Sequence, residues 1–253
     1  MQSVNFSELS PNPNINPSAQ KTHIQSLWQR LFFDETLTQD IRQLAQTIDE
    51  TTWQDYAALW QNIDKNDDEQ LTQWLISLFN HLFNQPNIGM MPTTLVRGDG
   101  EPEYFPADDN APARIEFAHG FFASALHEIS HWCVAGKQRR TLNDFGYWYE
   151  SDGRDEQTQA IFEQVEIKPQ AIECLLNQAC GRYFYVSQDN LNADFDTSKS
   201  TFAIDVYAKA QDYLNAPSTL PRDAKRLLWV LLRLCQGFEP ADQLTHKNGD
   251  MPC

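Results

Sequence analysis

The sequence reads Ala125-Leu126-His127-Glu128-Ile129-Ser130-His131-Trp132 near its middle, which is the pattern H-E-x-x-H. On an α-helix, residues four positions apart are separated by about 40° around the axis, so both imidazoles leave the same face. Their Cβ atoms then lie about 6 Å apart, and both rings can bind one metal ion. Glu128 points about 100° away from the pair, as a group that orients a ligand or transfers protons would. The spacing therefore predicts a helix that carries a divalent metal site.

A structural pair of histidines is the alternative interpretation of the same spacing. The neighbouring residues are apolar, among them Phe121, Phe122 and Ile129. Histidines on so apolar a helix would be buried, and buried imidazoles need partners for both ring nitrogens. The glutamate directly after the first histidine favours the metal site over the structural pair.

Composition limits the class of protein. The chain has 253 residues, a formal net charge of -16 and 41% hydrophobic residues. The acidic balance argues against nucleic acid as a partner, because phosphate binding requires clustered lysine and arginine. Five cysteines without C-x-x-C spacing are typical of a reduced, intracellular protein. Residues 1–6 lack the features of a signal peptide, and the apolar run 227–232 is too short to cross a bilayer. We expect a soluble cytoplasmic protein without a membrane partner.

Hydrophobic periodicity predicts a mainly α fold with a few short β-strands, in which the H-E-x-x-H helix packs on a second, carboxylate-bearing helix. We expect a disordered tail at 1–20, a helical N-terminal region at 21–84, a metal-dependent domain at 85–237 and a C-terminal tail at 238–253. The segments 93–97 and 103–105 flank Gly98-Asp99-Gly100 like a β-hairpin. Further helices are predicted at about 120–135, from Asp155 onward, at 200–214 and at 221–236.

A third metal ligand is expected from the helix that begins near Asp155. Its polar stripe carries Glu163, Glu166 and Glu173, and any one of them can complete a site with the two histidines. Two histidines and one carboxylate leave coordination positions open, which suits catalytic zinc or non-haem Fe(II). With zinc, Glu128 would act as the general base of a metallopeptidase or hydrolase. With iron, the open positions would bind dioxygen for an oxidation.

Several blocks of the chain resemble the bacterial elongation factor P hydroxylases. The resemblance extends over about residues 70–216, and the blocks are 117–121 (FAHGF), 125–133 (ALHEISHWC), 135–137 (AGK), 144–149 (DFGYWY), 152–155 (DGRD) and 165–171 (VEIKPQA). This combination is far more specific than H-E-x-x-H alone.

The resemblance implies a metal-dependent monooxygenase that hydroxylates the β-lysyl-modified lysine of elongation factor P, its protein substrate. It also implies that His127, His131 and a carboxylate of the 165–171 block hold the metal, which places Glu166 ahead of Glu163 and Glu173. Iron(II) and dioxygen are expected because insertion of oxygen into a C–H bond is beyond redox-inert zinc. The electron donor stays open.

Two other functions compete with the hydroxylase. One is a zinc metallopeptidase in which Glu128 is the base. The other is a non-catalytic adaptor with a structural metal, which a fourth protein ligand would normally close. Within the resembling blocks, Glu128 is the candidate catalytic residue. Arg154 and Asp152 either position a charged substrate or serve as turn and cap residues.

Overall fold

The structure is a computed structural model that describes residues 39, 48–85, 91–147, 153–190, 192–197 and 200–237. Within these ranges the helices are α1 (Glu50–Asn62), α2 (Asp68–Phe83), α3 (Phe122–Arg139), α4 (Glu156–Ala179), α5 (Phe202–Asn215) and α6 (Arg222–Gln236). The strands are β1 (Thr93–Arg97), β2 (Glu103–Phe105) and β3 (Ala113–Phe117), and short 3-10 helices lie at Asn143–Gly146 and Pro217–Thr219. The predicted fold class, mainly α with a few short strands, is confirmed.

The two N-terminal helices begin at aspartate caps and bury aromatic stripes. Asp49 accepts a hydrogen bond from the backbone of α1, and Asp67 accepts one from the backbone of α2. Trp53 of α1 meets Trp229 of α6 edge to face, with ring centroids 5.6 Å apart. The N-terminal helices therefore pack directly against the C-terminal helix. The division into a region 21–84 and a domain 85–237 stays a prediction, and the predicted tails, 1–20 and 238–253, lie outside the described residues.

The small sheet corrects the predicted hairpin. Both predicted strands exist with the expected bounds, but they do not pair with each other, because β3 lies between them in the order β1-β3-β2. β3 runs parallel to β1 and antiparallel to β2. The sequence Ala113-Arg-Ile-Glu-Phe117 alternates inward and outward side chains, as a strand with one buried face does. A Cβ atom added to Gly98 would lie 3.3 Å from Cβ of Glu116 on this strand, so a side chain there would be crowded.

Helix α3 presents its apolar face to the core and its polar residues to α4. Leu126, Ile129 and Trp132 are fully buried, and Trp132 packs edge on against Phe79 and Phe83 of α2. No side chain adjacent in sequence caps its first turn. The helical dihedrals break at Gly136, where φ is 65°, which agrees with the predicted end of the helix.

Helix α4 begins where the sequence predicts. The side chain of Asp155 caps it by accepting a hydrogen bond from the backbone of Thr158 at 2.8 Å. The helix continues on both sides of Pro169, and nearly all residues after Pro169 are buried against α3, α5 and α6. Among the described residues, no helix combines the length and the apolar character needed to cross a lipid bilayer.

Candidate metal centre

Two histidines of α3 and one glutamate of α4 converge at the contact between these helices. The Nε2 atoms of His127 and His131 lie 3.1 Å apart. From α4, Oε1 of Glu166 lies 3.1 Å from Nε2 of His131, and Oε2 lies 3.7 Å from Nε2 of His127. The predicted residues therefore meet in one cluster, with Glu166 rather than Glu163 or Glu173 beside both Nε2 atoms.

The spacing of these atoms fits one bound metal ion. Donors on one ion, with bonds of about 2.1 Å and angles of about 90–109°, lie about 3.0–3.4 Å apart. The two distances of 3.1 Å fall inside this range, while the 3.7 Å between Nε2 of His127 and Oε2 of Glu166 lies outside it. Ligand atoms of the three residues all lie within 4.8 Å of one another, and within the described part of the chain no fourth residue joins this group. Two histidines and one carboxylate are a donor set found in catalytic metal sites, whereas a structural zinc site normally has four protein ligands.

Glu173 contacts the cluster from the opposite side of the first imidazole. Its Oε2 lies 2.9 Å from Nδ1 of His127. A carboxylate accepts hydrogen bonds, so Nδ1 of His127 is the donor in this contact, and Nε2 is the atom that faces His131 and Glu166. Glu173 is thus placed to orient the candidate ligand, not to serve as one.

In the metal-free state, attraction between the imidazoles and the carboxylates stabilises the cluster. Burial lowers the pKa of His127, but the hydrogen bond to Glu173 and the surrounding carboxylates outweigh burial and raise this pKa to about 10. Burial likewise opposes ionisation of Glu166, but His131, followed by His127, outweighs it and lowers the pKa of Glu166 to about 2. Glu166 is therefore ionised at neutral pH, and a metal ion would take the place of the proton on Nε2 of His127.

A buried glutamine completes the surroundings of Glu166. Nε2 of Gln170 donates to Oε2 of Glu166 at 3.3 Å. The same amide bonds both backbone groups of Ser187, and Gln170 is only 1% exposed. Gln170 lies on the same polar stripe of α4 as Glu166, but the stripe alone assigns it no role. Its position one helical turn after Glu166 was the available signal.

The remaining sequence candidates lie apart from the three donors or have other partners. Glu163 accepts a hydrogen bond from Oγ of Ser200 at 2.8 Å and does not join the donor group. Glu128 also stays outside the donor group, and burial raises its pKa although both histidines oppose the shift. A carboxyl of this kind keeps its proton closer to neutral pH, which suits proton transfer.

Arg154 has a structural position rather than a free, substrate-facing one. Its side chain is 1% exposed, stacks on the ring of Phe162 at 3.8 Å and donates from Nε to Gln159 at 3.0 Å. It also donates to the backbone of Asp189. These contacts tie the start of α4 to the segment 188–190. Asp152 lies outside the described residues.

The fold and the donors define a helical protein with a two-histidine, one-carboxylate candidate metal centre. A sequence model of the family described as Elongation factor P hydroxylase matches residues 78–244. The chain is also similar to the Elongation factor P lysine hydroxylase of Haemophilus influenzae, with 43% identity over 180 residues, which are 71% of this chain and 96% of the relative. The chain belongs to the elongation factor P hydroxylase family.

Proposed function

We propose that this chain is an iron(II)-dependent monooxygenase that hydroxylates the β-lysyl-modified lysine of elongation factor P. Family membership and the name of the similar relative support the reaction and the protein substrate. The observation that carries the metal dependence is the convergence of His127, His131 and Glu166, whose ligand atoms all lie within 4.8 Å.

Iron is the proposed metal because of the chemistry and the donor set. Two histidines and one carboxylate with open positions are the ligands of non-haem Fe(II) oxygenases. Bound iron would supply the activation of dioxygen that insertion of oxygen into an unactivated C–H bond requires, which zinc lacks. Overall, one oxygen atom enters the C–H bond, and the other leaves as water after two electrons and two protons from a reductant of unidentified class.

The chain's own residues would bind the metal, allow the substrate to approach and transfer protons. The side chain of His127 is 30% exposed while Glu166 is 5% exposed, so the cluster is reached from solvent on the α3 side. Glu128 is the proposed catalytic residue that holds a proton beside the reacting group, because burial raises its pKa. The net charge of -16 would attract a substrate arm with two ammonium groups.

The zinc peptidase uses the same histidines with Glu128 as base, so the donor set alone does not separate the two reactions. Family membership favours the hydroxylase. The test compares protein reconstituted with Fe(II) or Zn(II) on β-lysylated elongation factor P, with reductant and air. We expect hydroxylated peptide with iron only, and loss of the product in His127→Ala but not in His81→Ala, a histidine of α2 outside the donor group. Cleaved substrate with zinc and no hydroxylation with iron would contradict the proposal.

A further inference from the structure

We propose that Gln170 is a positioning residue that holds Glu166 as a one-oxygen metal ligand and couples this ligand to the segment 182–190. The proposal rests on the proposed function in one respect, the binding of a metal by Glu166. It goes further because it assigns the geometry of that carboxylate to a residue that does not bind the metal.

The hydrogen bonds of Gln170 leave its amide one orientation. Oε1 accepts from the backbone N–H of Ser187 at 3.0 Å, and Nε2 donates to the carbonyl of Ser187 at 2.8 Å. A reversed amide would place its donor against the N–H and its acceptor against the carbonyl, so the reversal is unfavourable. The second hydrogen of Nε2 is therefore available for Glu166, whose Oε2 lies 3.3 Å away.

This contact distinguishes the two oxygens of Glu166. Oε2 accepts from Gln170, while Oε1 lies 3.1 Å from Nε2 of His131. With Oε2 engaged, Oε1 is the oxygen free to bind the metal together with the two imidazoles. One-oxygen ligation by Glu166 leaves one more coordination position open than two-oxygen ligation, and dioxygen activation beside a substrate requires such positions.

Two glutamines of α4 bond the backbone of the segment 182–190. Besides Gln170, Gln159 donates from Nε2 to the carbonyl of Gln188 at 2.9 Å. The segment alternates outward and inward residues, with Tyr185 80% exposed and Phe184 7% exposed. A displacement of this segment would therefore move the side-chain amide of Gln170, and this movement would change the hydrogen bond from Gln170 to Glu166.

Gln159 offers a matched control within the same helix. It is 2% exposed, bonds the backbone of the segment, and contacts a glutamate four positions away, as Gln170 does. The glutamate it contacts is Glu163, which lies outside the donor group. A substitution at Gln159 thus removes a contact to the segment, together with the hydrogen bond from Arg154, without touching the proposed ligand.

The experiment titrates metal-free protein with Co(II), whose visible absorption weakens as the coordination number rises. It compares the wild type with Gln170→Met and Gln159→Met, with thermal unfolding measured for each. We expect Gln170→Met to bind Co(II) about 10-fold more weakly, since loss of a partner that orients a metal ligand typically costs 10–100-fold in affinity. We also expect weaker absorption bands, because Oε2 becomes free to bind. Gln159→Met should keep the affinity and spectrum of the wild type.

A second variant preserves the test if Gln170→Met does not fold. Gln170→Leu is close in volume to the glutamine but has no hydrogen to donate to Glu166, and the same spectral change is expected. Equal behaviour of the Gln170 and Gln159 variants would overturn the inference, whether both match the wild type or both weaken. If the wild type itself binds no Co(II), the proposed metal dependence is wrong. If the wild type binds Co(II) but the Gln170 and Gln159 variants behave alike, only the role of Gln170 is wrong.

Discussion

Oε2 of Glu173 lies 2.9 Å from Nδ1 of His127, on a helix that also supplies Glu166 two turns earlier. One face of α4 therefore carries both the candidate carboxylate ligand and the carboxylate that orients a candidate imidazole ligand. Such pairing of a ligating histidine with a carboxylate stabilises one ring orientation and increases the basicity of the ligand.

Removal of this carboxylate should weaken metal binding without abolishing it. We expect Glu173→Ala to lower Fe(II) affinity by about 10–100-fold, because His127 loses the acceptor at Nδ1. Glu173→Gln keeps an acceptor oxygen and should lose less. Anaerobic competition with a chelator measures the affinity, and Glu156→Ala, at the exposed start of the same helix, serves as the control. Unchanged affinity in Glu173→Ala would show that the contact has no part in metal binding.

The choice among the three glutamates can be tested by metal content. We expect Glu166→Ala to lose stoichiometric Fe(II), because its oxygens are the carboxylate atoms beside both Nε2 atoms. Glu163→Ala should retain the metal, because Glu163 contacts Ser200 and Gln159 instead. Elemental analysis after anaerobic reconstitution and desalting gives the answer. If Glu163→Ala lost the metal and Glu166→Ala retained it, Glu163 and not Glu166 would be the metal ligand.

The first turn of α3 depends on a residue distant in sequence. Oδ2 of Asp68, at the start of α2, accepts the backbone N–H of Phe122 at 2.9 Å, and α3 has no side-chain cap of its own. Asp68→Ala should therefore lower the free energy of unfolding by about 1 kcal/mol, the usual effect of losing a helix cap. Urea unfolding measures this, with Asp55→Ala on the exposed face of α1 as the control. Equal midpoints for the two variants would argue against a capping role.

A buried ion pair joins the end of α3 to α6. Nη1 of Arg140 lies 2.8 Å from Oδ2 of Asp223, and both residues are 6% exposed. Removal of one partner leaves a buried charge, so Asp223→Ala should lower the free energy of unfolding by about 3–5 kcal/mol. Asp212→Ala, exposed on α5, should change it little. A loss below about 1 kcal/mol for Asp223→Ala in urea unfolding would mean that water reaches the guanidinium.

Local patterns predicted the parts of this protein that local physics determines. The start of α4 near Asp155, the break at Gly136 and the shared face of His127 and His131 follow from helix geometry and termination rules. They required no knowledge of the rest of the chain.

The errors and omissions concern contacts between distant residues. β3 pairs with β1 in parallel, and a local turn signal at Gly98-Asp99-Gly100 predicts only an antiparallel neighbour. His127 and Glu173 are 46 positions apart, so the periodicity of α4 places Glu173 on a polar face but does not say which oxygen meets which nitrogen. The role of Gln170 depends on the segment 182–190 in the same way.

The most direct test of the proposed monooxygenase is a mass measurement. β-Lysylated elongation factor P is incubated with the Fe(II)-loaded protein, a reductant and isotopically labelled dioxygen, and its intact mass is then measured. We expect a gain of one labelled oxygen atom with the wild type and with His81→Ala, and no gain with His131→Ala. An unchanged mass with the iron-loaded wild type, or an oxygen atom that comes from water instead of dioxygen, would contradict the proposal.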